Sequence, residues 1–181
     1  MSVRKIEPYI HNRAYDEKLV AIYGNWPIYL NIDQRYLGRC YAWWSGGHVG
    51  CMDFSEIPLA DLSDFSELAG AFSGAVKSLW GATQVNYAWL GNEVEKHKGH
   101  GHFHMVPRYS KQDPSLNERI FPDPAIGKKY WVSNGLQVLT PAEVRQVQEA
   151  LCSKMVFPNP EKVRTVAQFY ELHPETKSET T

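Results

Sequence analysis

Gly99-His100-Gly101-His102-Phe103-His104-Met105-Val106-Pro107-Arg108 sets three of the chain's seven histidines at every second position. Successive side chains of a β-strand point to opposite faces. A strand from His100 to Val106, closed by Pro107, would therefore present His100, His102 and His104 on one face and send Phe103 and Met105 into a core. Upstream, Gln84 to Leu90 reads as a second strand, separated from the first by a charged loop, Glu93 to Gly99, without apolar periodicity. Before that, Phe65, Leu68, Ala69, Phe72, Ala75, Val76 and Leu79 recur at intervals of three and four. They predict a helix from about Ser63 to Trp80, stopped by Gly81. Earlier still, Pro27 to Asp33 and Cys40 to Trp44 read as an antiparallel pair around the turn Gln34 to Arg39.

On the other side, Tyr130 to Ser133 and Leu136 to Leu139 flank Asn134-Gly135, a two-residue hairpin signal. Thr140-Pro141-Ala142-Glu143 combines an N-cap, an N1 proline and a capping-box glutamate ahead of Val144, Val147, Ala150 and Leu151, so a last helix begins there. Beyond about Glu171 the chain is polar, and a disordered tail over 172–181 is expected. These elements predict a mixed α+β domain over residues 1–171: an antiparallel sheet with a long helix packed on it, then a C-terminal hairpin and helix.

With 181 residues, 43% hydrophobic, the chain is long enough for one sizeable core. Its 19 Lys+Arg against 20 Asp+Glu leave a formal charge of -1, which offers no extended nucleic-acid surface and no footprint for an anionic membrane. Phosphate must be held locally. Cys40, Cys51 and Cys152 lack metal-ligand spacing and read as reduced packing residues. No apolar run approaches the ~18 residues of a membrane span, so a cytoplasmic protein is expected.

Three alternating imidazoles admit several chemistries. A zinc site is one, but at a rise of about 3.3 Å per residue His100 and His104 stand roughly 13 Å apart on a straight strand, so only two could share an ion with a remote third ligand. Nucleophilic catalysis is another: a neutral imidazole attacks phosphorus and stores the transferred group as a phosphoramidate. The central His102 suits that role, with one neighbour fixing its orientation and the other donating a hydrogen bond as charge develops. Arg39 or Arg108 could add charge-assisted bonds to phosphate. Scattered polar-face histidines are the bland reading. The aromatics Trp26, Tyr41, Trp43 and Trp44 could stack a base or fill the core.

The run His100 to Val106 resembles the histidine-triad motif, His-φ-His-φ-His-φ-φ, of the HIT superfamily of nucleotide hydrolases and transferases. Asn86 to Asn92 ahead of it, with its Leu90-Gly91-Asn92 turn, and Pro107-Arg108-Tyr109 behind it resemble a bacterial HIT-like branch. Asp33 to Arg39 is similar to the segment between the family's first core strands, with His48 and the helix following in order. The resemblance spans roughly Ile22 to Tyr109. It implies a nucleotide substrate, expected to be a purine nucleotide, no obligatory cofactor or metal, and a homodimer. It implies His102 as nucleophile, His100 holding His102 through its backbone carbonyl, and His104 at the scissile phosphate and leaving group. Asn31 falls where the family hydrogen-bonds the ribose, with Asp33 the nearby alternative; Asn92, Arg39 and Arg108 complete the expected nucleotide contacts. The implied activity is hydrolysis or transfer at the α-phosphorus of a dinucleoside polyphosphate or nucleoside phosphoramidate, releasing a nucleoside monophosphate. A non-catalytic nucleotide-binding module or a metal-binding histidine cluster are the alternatives. The chain departs from the pattern at Gly38-Arg39, where many members have Gly-His, and at Glu95 to Gly99, which lacks the Gly-Gln-Ser/Thr run. Trp89 also stands near a position often held by Asn or Gln.

Overall fold

The computed structural model describes residues 13–46, 53–89, 101–124, 126 and 136–172. Five strands form one antiparallel sheet: β1 (Leu19–Tyr23), β2 (Trp26–Leu30), β3 (Cys40–Trp43), β4 (Gln84–Trp89) and β5 (His102–Arg108), in the order β1-β2-β3-β5-β4. The predicted pairing of the two early segments is present as β2 with β3, with Ile28 opposite Ala42 and Leu30 opposite Cys40. The strand β1 had no counterpart among the sequence expectations, although Leu19-Val20-Ala21-Ile22-Tyr23 is as rich in β-branched and aromatic residues as β2.

The long helix α1 spans Leu59–Trp80. It starts four residues before the expected position because its first turn faces solvent, with Leu59 82% exposed, so core-facing periodicity begins only later. Its end is as predicted: Gly81 adopts φ 70 and caps the helix through Lys77 and Val76 carbonyls. Phe65, Leu68, Phe72, Ala75 and Val76 pack against Trp26, Ile28, Ala42, Phe103 and Met105 of the sheet. Two buried tryptophans are satisfied at this contact, Trp26 Nε1 donating to the Asp61 carbonyl (2.7 Å) and Trp44 Nε1 to the Asp61 carboxylate (2.6 Å).

The second helix, α2 (Pro141–Lys154), carries the full capping box at Thr140 and Glu143, and buries Val147 and Leu151 in the same core. The segment before it departs from expectation. Residues 136–139 form no strand, because they bond singly to a turn rather than to a ladder: the Gln34 amide donates to the Gln137 carbonyl at 2.8 Å. The hairpin's turn and first limb, Tyr130 to Gly135, lie outside the described residues, as does 173–181 of the expected tail. A small hairpin forms instead at β6 (Ser115–Leu116) and β7 (Arg119–Ile120), around Asn117 at φ 54; asparagine tolerates that conformation.

A third helix, α3 (Val166–Leu172), covers the other face of the sheet, where Phe169 packs with Ile22, Tyr29 and Trp43. The last helix expected from the sequence begins at Thr140, so this one was missed; its signal was the capping pair of Thr165-Val166-Ala167-Gln168, where the Gln168 amide donates to Thr165 Oγ1 and the Thr165 amide to Gln168 Oε1. No described helix is long and apolar enough to cross a membrane.

Strand β5 runs through Pro107 to Arg108, where closure at Pro107 was expected. Pro107 pairs with Val85 of β4, while β3 already ends opposite Met105, so the missing N–H falls where the strand has one neighbour. Arg108, expected to meet phosphate, is 1% exposed. Its Nε and Nη2 donate to Asp123 at 2.7 and 3.0 Å, and its guanidinium lies 5.1 Å from the Tyr36 ring centroid. The sequence offered no sign of Asp123 as its partner. Replacing Asp123 by Ala leaves a buried guanidinium uncompensated and should cost about 3–5 kcal/mol. Urea unfolding checks this; a loss within experimental error of wild type would show that Arg108 finds another partner.

Candidate active site

Antiparallel pairing of β3 with β5 builds the site. Tyr41 stands opposite His104 and Trp43 opposite His102, so the two histidines share a face with these aromatics while Phe103 and Met105 enter the core, as alternation requires. The imidazole centroids are 4.9 Å apart. Tyr41 meets both edge-on, at 5.0 Å from His102 and 4.8 Å from His104. Of the aromatics weighed for base stacking, Trp26 and Trp44 belong to the core; Trp43 packs under α3 and lies 6.3 Å from the His102 ring, and Tyr41 meets both histidines.

The turn between β2 and β3 brings a cation to the same face. Gln34 ties it together, its Nε2 donating to the carbonyls of Asn31 (2.7 Å) and Arg39 (2.8 Å) and its Oε1 accepting from the Gly38 amide (2.8 Å). Gly38 itself sits at φ 82 against Trp80, where a Cβ would come within 2.6 Å of the indole, so only glycine fits. Tyr109 anchors the turn to the end of β5 by donating to the Leu37 carbonyl at 2.6 Å.

Arg39 leaves this turn with Nη1 3.3 Å from Asp33 Oδ2 and Nη2 3.5 Å from His104 Nδ1. Asp33 also receives Arg35, at 2.7 Å from Nε. Burial works against its charge, but the hydrogen bonds from Arg35 and from the Gln137 amide outweigh burial and lower its pKa. At His104, burial first, then the neighbouring His102 and the Arg39 charge, push the pKa down to about 3. The imidazole is neutral at physiological pH.

These contacts separate the two ribose candidates. The Asp33 carboxylate is taken by arginines, whereas Asn31, 3% exposed, has an Nδ2 buried with no hydrogen-bond partner among the described residues. Asn31 lines a cavity of about 590 Å³ whose walls include Lys18, Leu30, Leu139, Val144 and Arg145. Neither His102 nor His104 lines it; the turn that starts at Asn31 in its wall ends at Arg39, which faces His104. The contribution of α2 was not legible, because nothing local in Val144 or Arg145 signals a wall. His100 and Asn92 lie outside the described residues. Among the described residues, no group of three His, Cys, Asp or Glu is placed to hold a metal ion.

No protein-family model matches the sequence, and no curated protein does. Solved structures do. A histidine triad (HIT) protein from Sinorhizobium meliloti 1021 superposes with a TM-score of 0.60 at 15% identity, over 81% of this chain and 96% of its own. The chain has the histidine triad fold. A histidine triad protein from Marinobacter aquaeolei VT8 gives a TM-score of 0.60 at 17% identity, over 83% of this chain and 99% of its own. A hypothetical histidine triad nucleotide-binding protein from Sulfolobus tokodaii strain 7 gives 0.54 at 14% identity, over 76% and 83%. The α+β architecture expected from the sequence is thus the histidine triad arrangement of sheet and long helix.

Because the folded chain holds His104 neutral down to about pH 3, while an unfolded histidine gains its proton near the ordinary 6.5, acid favours the unfolded state. This contribution is fully present above about pH 6.5 and is lost as pH falls. His104→Gln should therefore lose less stability than wild type between about pH 7 and about pH 5, a range above the titration of the carboxylates. Urea midpoints at the two pH values decide; equal losses in both proteins would mean that His104 titrates normally in the fold.

Proposed function

We propose that the chain is a nucleotide hydrolase or nucleotidyl transferase acting at an α-phosphorus through a nucleotidyl-histidine on His102. The observation that carries this is the pair of imidazoles held 4.9 Å apart on the face of β5 opposite the α1 core, one of them neutral, with a cation beside it. A ring nitrogen of His102 forms the N–P bond as the bond from phosphorus to the leaving group breaks, and the electron pair departs with the leaving group. Water, or another acceptor, then attacks phosphorus and the N–P bond breaks, releasing a nucleoside monophosphate when the acceptor is water.

His104 faces the phosphate and donates to the oxygen on which charge grows. His100 supports His102 through its backbone carbonyl, and Asn92 adds a polar contact; both roles follow from the triad resemblance. The nucleoside, expected to be a purine, enters the cavity beside Asn31, whose free Nδ2 donates to a ribose hydroxyl oxygen. Buried amides left unpaired are costly, so a ligand that supplies an acceptor there gains affinity. The nucleotide-binding description of the Sulfolobus neighbour agrees with this reading. The functional unit is proposed as a cytoplasmic homodimer; β4 pairs only with β5 among the described residues, leaving a sheet edge for a second copy.

Wild type should release nucleoside monophosphate from diadenosine polyphosphate or adenosine phosphoramidate equally with and without chelator. His102→Ala should lose that activity on the order of 10⁴-fold or more. Asn31→Ala should raise KM by about tenfold with kcat little changed, as for one lost hydrogen bond. Turnover that survives in His102→Ala, or that chelator abolishes, would remove the covalent mechanism.

A further inference from the structure

We propose that Arg39 is a positioning residue that holds His104 as the neutral Nε2–H tautomer, restricting this site to leaving groups that depart as stable anions, phosphoanhydrides rather than phosphoramidates. The inference rests on the nucleotidyl-transfer reading above and goes beyond it by choosing the substrate class. Arg39 is fastened on three sides: Asp33 takes Nη1, the Tyr41 ring lies 5.9 Å from the guanidinium carbon, and His104 Nδ1 faces Nη2. Its side chain is 13% exposed, so most of it is packed against protein instead of extending to a ligand.

A guanidinium has donors and no acceptor. The ring nitrogen it faces must therefore accept, and the single proton of a neutral imidazole goes to the other nitrogen. At 3.5 Å the contact is long, as such contacts often are before substrate tightens them. A second proton on Nδ1 would point at the Arg39 cation with no acceptor there, so His104 gives a hydrogen bond and does not give up a proton. The consequence lies in the first half-reaction. When the N–P bond forms on His102 and a phosphate oxygen leaves, the electron pair settles on an oxygen that is stable as an anion. When an amine leaves, its nitrogen needs a proton as the P–N bond breaks. The other side chains described around the two rings are a guanidinium, an indole and a phenol, and none of these groups has the acid chemistry of an imidazolium.

The test uses the full chain labelled with nitrogen-15, wild type and Arg39→Gln, with Asp33→Asn as a second variant that loosens the arginine while leaving it in place. Long-range proton–nitrogen correlation should show His104 with an acceptor-type Nδ1 and a protonated Nε2 in wild type. Both variants should show mixed tautomers, and Arg39→Gln a titration modestly nearer the ordinary histidine range, because burial, the larger cause, remains. Nucleoside monophosphate release should favour diadenosine tetraphosphate over adenosine phosphoramidate by about tenfold or more in wild type, the rate equivalent of one charge-assisted contact, and Arg39→Gln should narrow that ratio. A protonated Nδ1 in wild type, an unchanged tautomer and titration in both variants, or preference for the phosphoramidate would each overturn the proposal. Turnover of neither compound, with an Arg39-dependent tautomer intact, would overturn the nucleotidyl-transfer reading and the substrate choice together, leaving only the contact.

Discussion

The register between β3 and β5 is the constraint on which the rest depends. Because Tyr41 lies opposite His104 and Trp43 opposite His102, a slip of one residue would turn both imidazoles into the α1 core and expose Phe103 and Met105. That slip is opposed by the aromatic contacts beneath the sheet. Phe103 stacks on Phe65 of α1 at 3.9 Å and approaches Trp26 and Trp89 at 5.9 and 5.1 Å. The apolar alternate positions of β5 thus hold the polar ones in place, and the two histidines gain a fixed separation.

A second level of order comes from charge. The strand supplies the imidazoles, but the turn between β2 and β3 supplies the electrostatics, and that turn is closed by hydrogen bonds from Gln34 and by the Asp33 carboxylate among two arginines. Arg108 illustrates the opposite use of the same residue type. Lying two positions beyond Val106, it is paired with Asp123 inside the fold, so its charge organises the end of β5 and the segment after β5 instead of a phosphate.

The C-terminal third closes the structure around this frame. Lys162 bonds Asp64 at 2.8 Å and Glu67 at 3.1 Å on α1, Arg164 Nε donates to the Gly24 carbonyl at 3.0 Å, and Phe169 covers the sheet face beside Trp43. Leu139 and Val144 wall the cavity at Asn31. The segment after β5 therefore shapes the nucleoside end of the proposed site and shields part of the histidine-bearing face.

Much of this was legible in the chain. The alternation of His102, Phe103, His104 and Met105, the three-and-four spacing along α1, its stop at Gly81 and the capping box at Thr140 are local signals, each set by neighbours within a few residues, and each appears in the fold. What failed to register was either too short, as with β6 and β7, or dependent on a partner far along the chain. Nothing in Asp33 or Asn31 says which keeps a free hydrogen-bonding group; that follows from Arg39 six residues on and from Gln137, 104 positions away. Nor does Arg108 announce Asp123. The sequence by itself determined the period of each long element and the identity of the histidine strand, because periodicity and capping act through adjacent backbone. Tertiary structure alone decided which charges are spent on one another and which polar groups remain open to a ligand, because pairing energies depend on distance and burial, and both are set by packing.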